Sequence, residues 1–97
     1  MKTIVVAVDG SEACLAGVRR AAELARWIGG KLELAYASPP MLLPPSVYAE
    51  TIRKLEEAED THAKDVLDAA GKAAGMECIR VHLRGPAAEA ISDYVRA

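Results

Sequence analysis

The distribution of apolar and polar residues along the chain predicts alternating strands and helices. Residues 3–8, TIVVAV, form an unbroken apolar run rich in β-branched residues, which is typical of a strand covered on both faces in a parallel sheet. Between Glu12 and Ile28, apolar or small residues recur every three or four positions, which predicts an amphipathic helix, and Gly29-Gly30 signals its end. The alternating stretch 31–38, KLELAYAS, predicts a second strand with Leu32, Leu34 and Tyr36 on one face.

The second half of the chain repeats this alternation. Residues 38–46, SPPMLLPPS, contain four prolines and predict a loop that exposes Met41, Leu42 and Leu43 to a surface or a partner. A long helix is predicted from about Val47 to Ala74. Residues 77–84 alternate as a third strand near a sheet edge, and Gly85-Pro86 starts a third helix. The predicted buried side of the long helix carries Ile52, Leu55, Ala58, His62, Val66 and Ala70.

The order βαβαβα predicts an α/β fold, an open parallel sheet with helices on both faces, in a single domain over residues 1–97. In a three-stranded sheet of order 3-2-1, the apolar first strand would have an unpaired side, which is an association hazard. The chain also ends at SDYVRA, inside a predicted amphipathic helix. We therefore expect either further residues after 97 or a second copy to pair with this strand, and we favour truncation.

Composition narrows the functional classes. The chain has 52% hydrophobic and 4% aromatic residues, so its core is built from Ala, Val, Ile and Leu. A net charge of −2 argues against nucleic acid and anionic membranes as partners, and the sequence has no apolar stretch of spanning length. A cytoplasmic protein is the expectation. Cys14 and Cys78 have neither CxxC nor metal-ligand spacing, so they are expected to be reduced and buried.

The most informative local stretch is Asp9-Gly10-Ser11, between the first strand and the first helix. One interpretation is structural: Asp or Ser caps the helix and Gly makes the turn. The other is a ligand site, because open α/β sheets bind ligands beyond the carboxyl ends of their strands. No G-x-G-x-x-G follows the first strand and no GxxxxGK[ST] occurs, so the dinucleotide-fold and P-loop interpretations fail.

Other polar residues suggest no reaction. A phospho-acceptor receiver domain would need clustered acids at several strand ends, and the predicted strands two and three end in Ser38 and Arg84-Gly85. His62 is expected to be a structural histidine on the buried or boundary side of its helix. His82, with Arg80 and Arg84, is expected on a solvated strand face, with a weak anion patch as the alternative. We expect no nucleophile–base–orienter set and no metal site, and therefore no enzyme.

Two motifs in this order resemble the universal stress protein family: V-A-V-D-G-S at residues 6–11 and G-x-x-A-E-x-I at residues 85–91. The resemblance covers all 97 residues but about two-thirds of a usual family domain. It implies an incomplete version of a five-stranded nucleotide-binding α/β fold, in a family whose members often dimerise and in some cases bind ATP or another adenine nucleotide. Proline follows Gly85 directly, where the family usually places one residue between them.

The resemblance also implies site residues. Ala7 and Val8 would offer strand-end backbone near the base, Asp9 would meet the ribose or the adenine edge, and Ala37 would line the adenine pocket. Family members that hold ATP use a later glycine-rich segment, G-x-x-G followed by G-[ST], which these 97 residues do not contain. Since backbone N–H groups of such a turn cradle phosphates, ATP binding by this chain is expected to be weak or absent.

Together these observations predict a stress-response regulatory protein that binds an adenine nucleotide when complete. The alternative is a nucleotide-free oligomerisation or interaction module, in which the apolar strand edge and the Met41–Leu43 loop make contacts. An ATP-hydrolysing enzyme is the least supported reading, because no base, metal ligand or phosphate-binding lysine can be named.

Overall fold

Strands and helices alternate in the predicted order over the part of the chain that the structure describes. The computed structural model describes residues 2–38, 44, 46 and 48–96. The elements are β1 (Thr3–Ala7), α1 (Glu12–Ile28), β2 (Lys31–Ser38), α2 (Ala49–Ala74), β3 (Ile79–Arg84) and α3 (Ala87–Arg96). The predicted loop contacts of Met41, Leu42 and Leu43 lie outside the described residues.

The strands form one parallel sheet in the order β1-β2-β3, which confirms the predicted fold class. Thr3 pairs with Lys31 at one end of the β1–β2 ladder, and Ser38 pairs with Arg84 at the end of the β2–β3 ladder. The central strand β2 alternates as its sequence predicts. Leu32, Leu34 and Tyr36 pack under α1 and α2, whereas Glu33, on the opposite face, accepts a hydrogen bond from Tyr94 of α3.

The core lies between the sheet and the helices α1 and α2. Small side chains dominate the helical side, so the two helices approach the sheet and each other closely. The buried apolar cluster consists of Val8, Val18, Ala22, Ala25, Leu32, Leu34, Tyr36, Ala63, Val66, Leu67, Ala70 and Ala74. Helix α3 contributes no buried residue to it.

The predicted buried side of α2 is only partly correct. Val66 and Ala70 are buried, but Leu55, Ala58 and His62 are exposed. The 26 residues of α2 span about 39 Å, whereas the eight residues of β2 span about 26 Å, so only part of the helix can cover the sheet. Burial begins at Ala63, in the second half of the helix.

The polar face of β3 lies beside α2; Arg80 and Arg84 remain exposed, as predicted, whereas His82 is half-buried. Arg80 Nη1 lies 2.5 Å from Asp68 Oδ1, and Arg84 Nη2 lies 3.0 Å from Asp60 Oδ1. The Arg80 guanidinium lies over Gly71, and a Cβ at that position would collide with it. Strand β3 is a sheet edge, as predicted, but its cations are paired with acids of the helix above it.

One edge of the sheet is unpaired within the described part of the chain. Strand β1 is bonded to β2 on one side only, and Leu24, Trp27 and Ile28 near the end of α1 are exposed, Trp27 to 85%. Cys14 and Cys78 are free thiols, half-buried rather than fully buried as predicted. Among the described helices, none combines the length and apolar character needed to cross a membrane.

Candidate functional site

The four residues implied by the resemblance lie at the carboxyl edge of the sheet. Ala7 ends β1 and pairs with Ala35, and Val8 N–H donates to the Ala35 carbonyl at 2.9 Å. Continuing this register places Asp9 level with Ala37, the penultimate residue of β2. The structure therefore brings Asp9 and Ala37 to the same edge on neighbouring strands. Val8 is buried and its N–H is already bonded to Ala35, so its carbonyl is the one polar group it can offer a ligand.

Asp9 both shapes its turn and presents a charge. Its Oδ1 accepts a hydrogen bond from Ser11 N–H at 2.9 Å, while the side chain is exposed. Hydrogen bonding to Ser11 lowers the pKa of Asp9 below its usual value of 3.8, so the group is a carboxylate at neutral pH. Oδ1 serves the turn, and the carboxylate remains exposed, so it can accept a hydrogen bond from a ligand hydroxyl.

The remaining residues of the turn perform the predicted structural roles. Ser11 is the N-cap of α1, and its Oγ accepts from Cys14 N–H at 3.1 Å. Gly10 has a φ of 86°, a conformation that side chains rarely adopt, and a Cβ there would lie 3.3 Å from Val66 Cγ2 of α2. The capping interpretation of this stretch is confirmed, and the exposed carboxylate leaves the ligand interpretation open.

A second group of polar side chains lies where β2 and β3 end beneath α2. Tyr36 Oη donates to Glu59 Oε1 at 3.1 Å, and Ser38 Oγ is hydrogen-bonded to His82 Nε2. His82 Nδ1 faces Asp60 Oδ1 at 3.7 Å. We call these five residues, Tyr36, Ser38, Glu59, Asp60 and His82, the strand-end network. His62, which was predicted on the buried or boundary side of its helix, is exposed, and its ring meets Tyr36 edge-on at 5.8 Å between centroids.

The electrostatics of the strand-end network follow from its hydrogen bonds. Hydrogen bonding from Ser38 is the largest effect on Glu59 and lowers its pKa, an effect that Tyr36 and the two histidines reinforce. Burial, followed by the bond to Glu59, raises the pKa of Tyr36 above 10.0. Glu59 is therefore a carboxylate and Tyr36 a neutral phenol at neutral pH.

Sequence reasoning missed this network, which contains a serine, a histidine and an aspartate in contact. The three residues come from β2, β3 and α2, and nothing in their spacing indicates that they meet. Ser38 is bonded to His82, but His82 Nδ1 lies 3.7 Å from Asp60 Oδ1, so the arrangement resembles a nucleophile, base and orienting acid without the second hydrogen bond of such a set. Ser38 is only 3% exposed, however, and its hydroxyl lies between the sheet and α2, where an acyl or phosphoryl group cannot reach it.

The best-formed clefts lined by described residues lie away from Asp9. A cleft of about 440 Å³ lies at the opposite, amino edge of the sheet, lined by Leu32, Met76, Cys78 and Ile79 among others. Ligands of open α/β sheets bind beyond the carboxyl ends of the strands, so the carboxyl edge is the better candidate for a ligand site. Within residues 2–38 and 48–96, no group of three or more His, Cys, Asp or Glu side chains is placed to hold a metal ion.

The parallel sheet, with an exposed acid following its first strand, defines an α/β protein of the open-sheet class. The sequence matches the profile of the Universal stress protein family over residues 1–97, and the chain belongs to that family. A comparison with curated proteins gave no match.

Solved structures of universal stress proteins share the fold. A family member from Burkholderia pseudomallei superposes with a TM-score of 0.76 at 24% identity, over 97% of this chain and 72% of that one. UspA from Lactobacillus plantarum gives 0.78 at 22% identity, over 98% and 68%. A universal stress protein in complex with cAMP gives 0.58 at 28% identity, over 99% of this chain and 66% of that one.

Proposed function

We propose that this chain is a stress-response regulatory protein that binds the adenosine half of an adenine nucleotide at the carboxyl edge of its sheet. The observation that carries the proposal is the exposed Asp9 carboxylate, held by its own turn at the end of β1 and level with Ala37. A carboxylate oxygen in this position can accept a hydrogen bond from a ribose hydroxyl. The similar protein solved with cAMP supports an adenine ligand as the class to test.

The phosphates contribute little in this proposal. Strongly held phosphates need clustered backbone N–H groups, and the glycine-rich segment that supplies them in the family is absent from these 97 residues. Adenosine, AMP and ATP should therefore bind with affinities within about threefold of one another, a difference below about 0.7 kcal/mol. Calorimetric titration of the three ligands tests this. An ATP affinity in the micromolar range, far above that of adenosine, would contradict it.

The proposed role includes no turnover. Ser38, the serine that is hydrogen-bonded to a histidine, is buried. We expect no release of phosphate from ATP above the buffer rate. Phosphate release that is lost in Asp9→Ala would replace this proposal with an ATP-hydrolysing one.

A second candidate, an interaction module that needs no nucleotide, is favoured by the unpaired edge of β1 and by the exposed Leu24 and Trp27. It predicts association of the chain, such as a homodimer, at micromolar concentration. Sedimentation of the chain beside a Thr3→Lys variant tests it, since a lysine on an edge strand opposes pairing. A monomer at all concentrations for both proteins would exclude this candidate.

A further inference from the structure

The outer face of α1 carries a highly exposed tryptophan. Trp27 is 85% exposed, and Leu24, one turn before it, is exposed as well. Trp27 lies about two and a half helical turns from the fully buried Val18, so the two side chains are on opposite sides of the helix. A strand added beside β1 would extend the sheet below α1 and would leave Trp27 in solvent. A partner that covers Trp27 must therefore dock on the helix itself.

The surface groove around Trp27 contains both a cation and an anion. It has a volume of about 710 Å³ and is lined by Arg20, Glu23, Leu24 and Trp27. These residues occupy positions i, i+3, i+4 and i+7, so they form one stripe along the helix. Within residues 2–38 and 48–96, no salt bridge involves Arg20 or Glu23. Both charges are therefore available to a partner at this surface.

The stripe continues toward the start of α1 with small residues. Ala16 and Gly17 are both exposed. Glycine is unfavourable inside a helix relative to alanine, yet a Cβ on Gly17 would meet nothing within 4 Å. Packing among the described residues therefore does not explain this glycine, whereas the close approach of a second helix would. We use the name Trp27 face for Ala16, Gly17, Arg20, Glu23, Leu24 and Trp27.

The Trp27 face is complementary to itself when two copies of α1 run antiparallel. The half with large side chains then meets the half with small ones. A two-fold axis between residues 21 and 22 places Arg20 level with Glu23 of the second copy, and Trp27 level with Ala16 and next to Gly17. Each of these contacts occurs twice because the interface is isologous. A parallel pair would instead set like charges beside each other, which is unfavourable.

We propose that the Trp27 face docks antiparallel on the same face of a second copy of this chain. The proposal does not depend on adenosine binding; it names the partner and the geometry for the second candidate function. The contact from Ala16 to Trp27 is about 17 Å long, so one helix pair buries less than the roughly 1,600 Å² of a standard interface. The dissociation constant is therefore expected on the order of 100 µM, as for a weak and transient dimer.

The first experiment uses Trp27 as its own probe, because it is the one tryptophan of the chain. Sedimentation and tryptophan emission are followed from about tenfold below to about tenfold above the expected dissociation constant. The emission should move to shorter wavelength with the same midpoint as dimer formation. Trp27→Ala should stay monomeric, whereas Tyr48→Ala, which removes a different aromatic ring that is 81% exposed, should dimerise like the natural chain. A monomer throughout, or association that leaves the emission of Trp27 unchanged, overturns the proposal.

The second experiment tests the antiparallel geometry by charge reversal. Arg20→Glu places two acids level with each other at both ends of the pair and should weaken the dimer at least about fivefold. The double variant Arg20→Glu with Glu23→Arg exchanges the two charges and should restore the affinity of the natural chain. A double variant that is no tighter than Arg20→Glu alone contradicts the antiparallel pairing.

Two further variants separate this interface from unfolding and from the sheet edge. Gly17→Ala favours the helix in the free monomer, so its urea stability should not fall, yet its dimer should be at least about threefold weaker. Thr3→Lys alters the edge of β1 and should leave this dimer unchanged. A dimer that survives in both Gly17→Ala and Trp27→Ala but is lost in Thr3→Lys would place the interface at the sheet edge and overturn the proposal.

Discussion

At the scale of single residues, the structure assigns the two roles in the turn at residues 9–11, turn closure and helix capping, which the sequence left undivided between Asp9 and Ser11. Asp9 closes the turn with Oδ1, and Ser11 caps the helix with Oγ. Replacing Ser11 with Ala should destabilise the protein by about 1 kcal/mol in urea unfolding, the usual cost of a lost N-cap. Ser11→Asp, which keeps a capping oxygen, should restore most of this loss. Equal stability of all three proteins would show that the cap contributes nothing.

The charge of Asp9 should appear in the acid stability of the protein. Because hydrogen bonding lowers its folded-state pKa below 3.8, its contribution is fully present above about 3.8 and is lost as the pH falls through the lower folded value. Asp9→Asn retains the oxygen that the turn needs and cannot titrate. Its stability should therefore fall less steeply below pH 4 than that of the natural chain, as measured by urea unfolding across this range. Parallel curves would contradict the assignment.

Gly71 and Arg80 provide a test of close packing between α2 and β3. The Arg80 guanidinium occupies the space of a Cβ at position 71 while pairing with Asp68. Gly71→Ala should gain about 1 kcal/mol of helix propensity only when Arg80 is also replaced by Ala. With Arg80 present, displacement of this half-exposed ion pair, worth up to about 1 kcal/mol, should offset most of the gain. A double-mutant cycle by urea unfolding measures the coupling, and additive effects would refute the contact.

At the scale of elements, α3 packs on the far face of the sheet without a fully buried residue, and Tyr94 ties it to β2. The Tyr94 Oη donates to Glu33 Oε2 at 2.7 Å. Tyr94→Phe should therefore raise amide exchange throughout α3, because an isolated helix of ten residues is marginal. Tyr48→Phe is the matched control, since Tyr48 is 81% exposed. Exchange that rises equally in α1 would mean that the bond stabilises the whole domain instead.

The same bond should give a response at high pH. Hydrogen bonding to Glu33 raises the folded-state pKa of Tyr94 above 10.0, which favours the neutral phenol. This contribution is fully present below the unfolded pKa of about 10 and is lost as the pH rises through the folded value. The protection of α3 amides should accordingly decline above pH 10 in the natural chain and show no such decline in Tyr94→Phe. A decline of the same size in Tyr94→Phe would assign it to another group.

Sequence patterns were reliable for elements with local signals. The bounds of α1 and β2 agree with their predictions because Ser11, Gly29-Gly30 and the alternation of KLELAYAS mark them locally. The buried side of α2 was partly wrong because it depends on how far the sheet reaches. Ile52 and Leu55 have a helical apolar pattern, but they lie before the part of the helix that β2 and β3 can cover.

At the scale of the whole molecule, the candidate site could be predicted only in part. Asp9 and Ala37 were placed correctly at one edge because parallel strands bring their carboxyl ends together. The strand-end network could not be predicted, since it needs the register of Tyr36 with His82 and the position of Glu59 and Asp60 above them. Contacts of this kind arise from tertiary packing, so the residues that make them have no characteristic spacing in the sequence.

If Asp9 makes the carboxyl edge of the sheet an adenosine site, a titration of the isotope-labelled chain with adenosine shows it most directly. We predict saturable amide shifts at Ala7, Asp9 and Ala37, with a dissociation constant on the order of 1 mM or tighter, about −4 kcal/mol. Asp9→Ala should bind at least about tenfold more weakly, the loss expected for a hydrogen bond to a charged group. Shifts confined to the cleft at Met76 and Cys78, or an affinity unchanged in Asp9→Ala, would contradict the account.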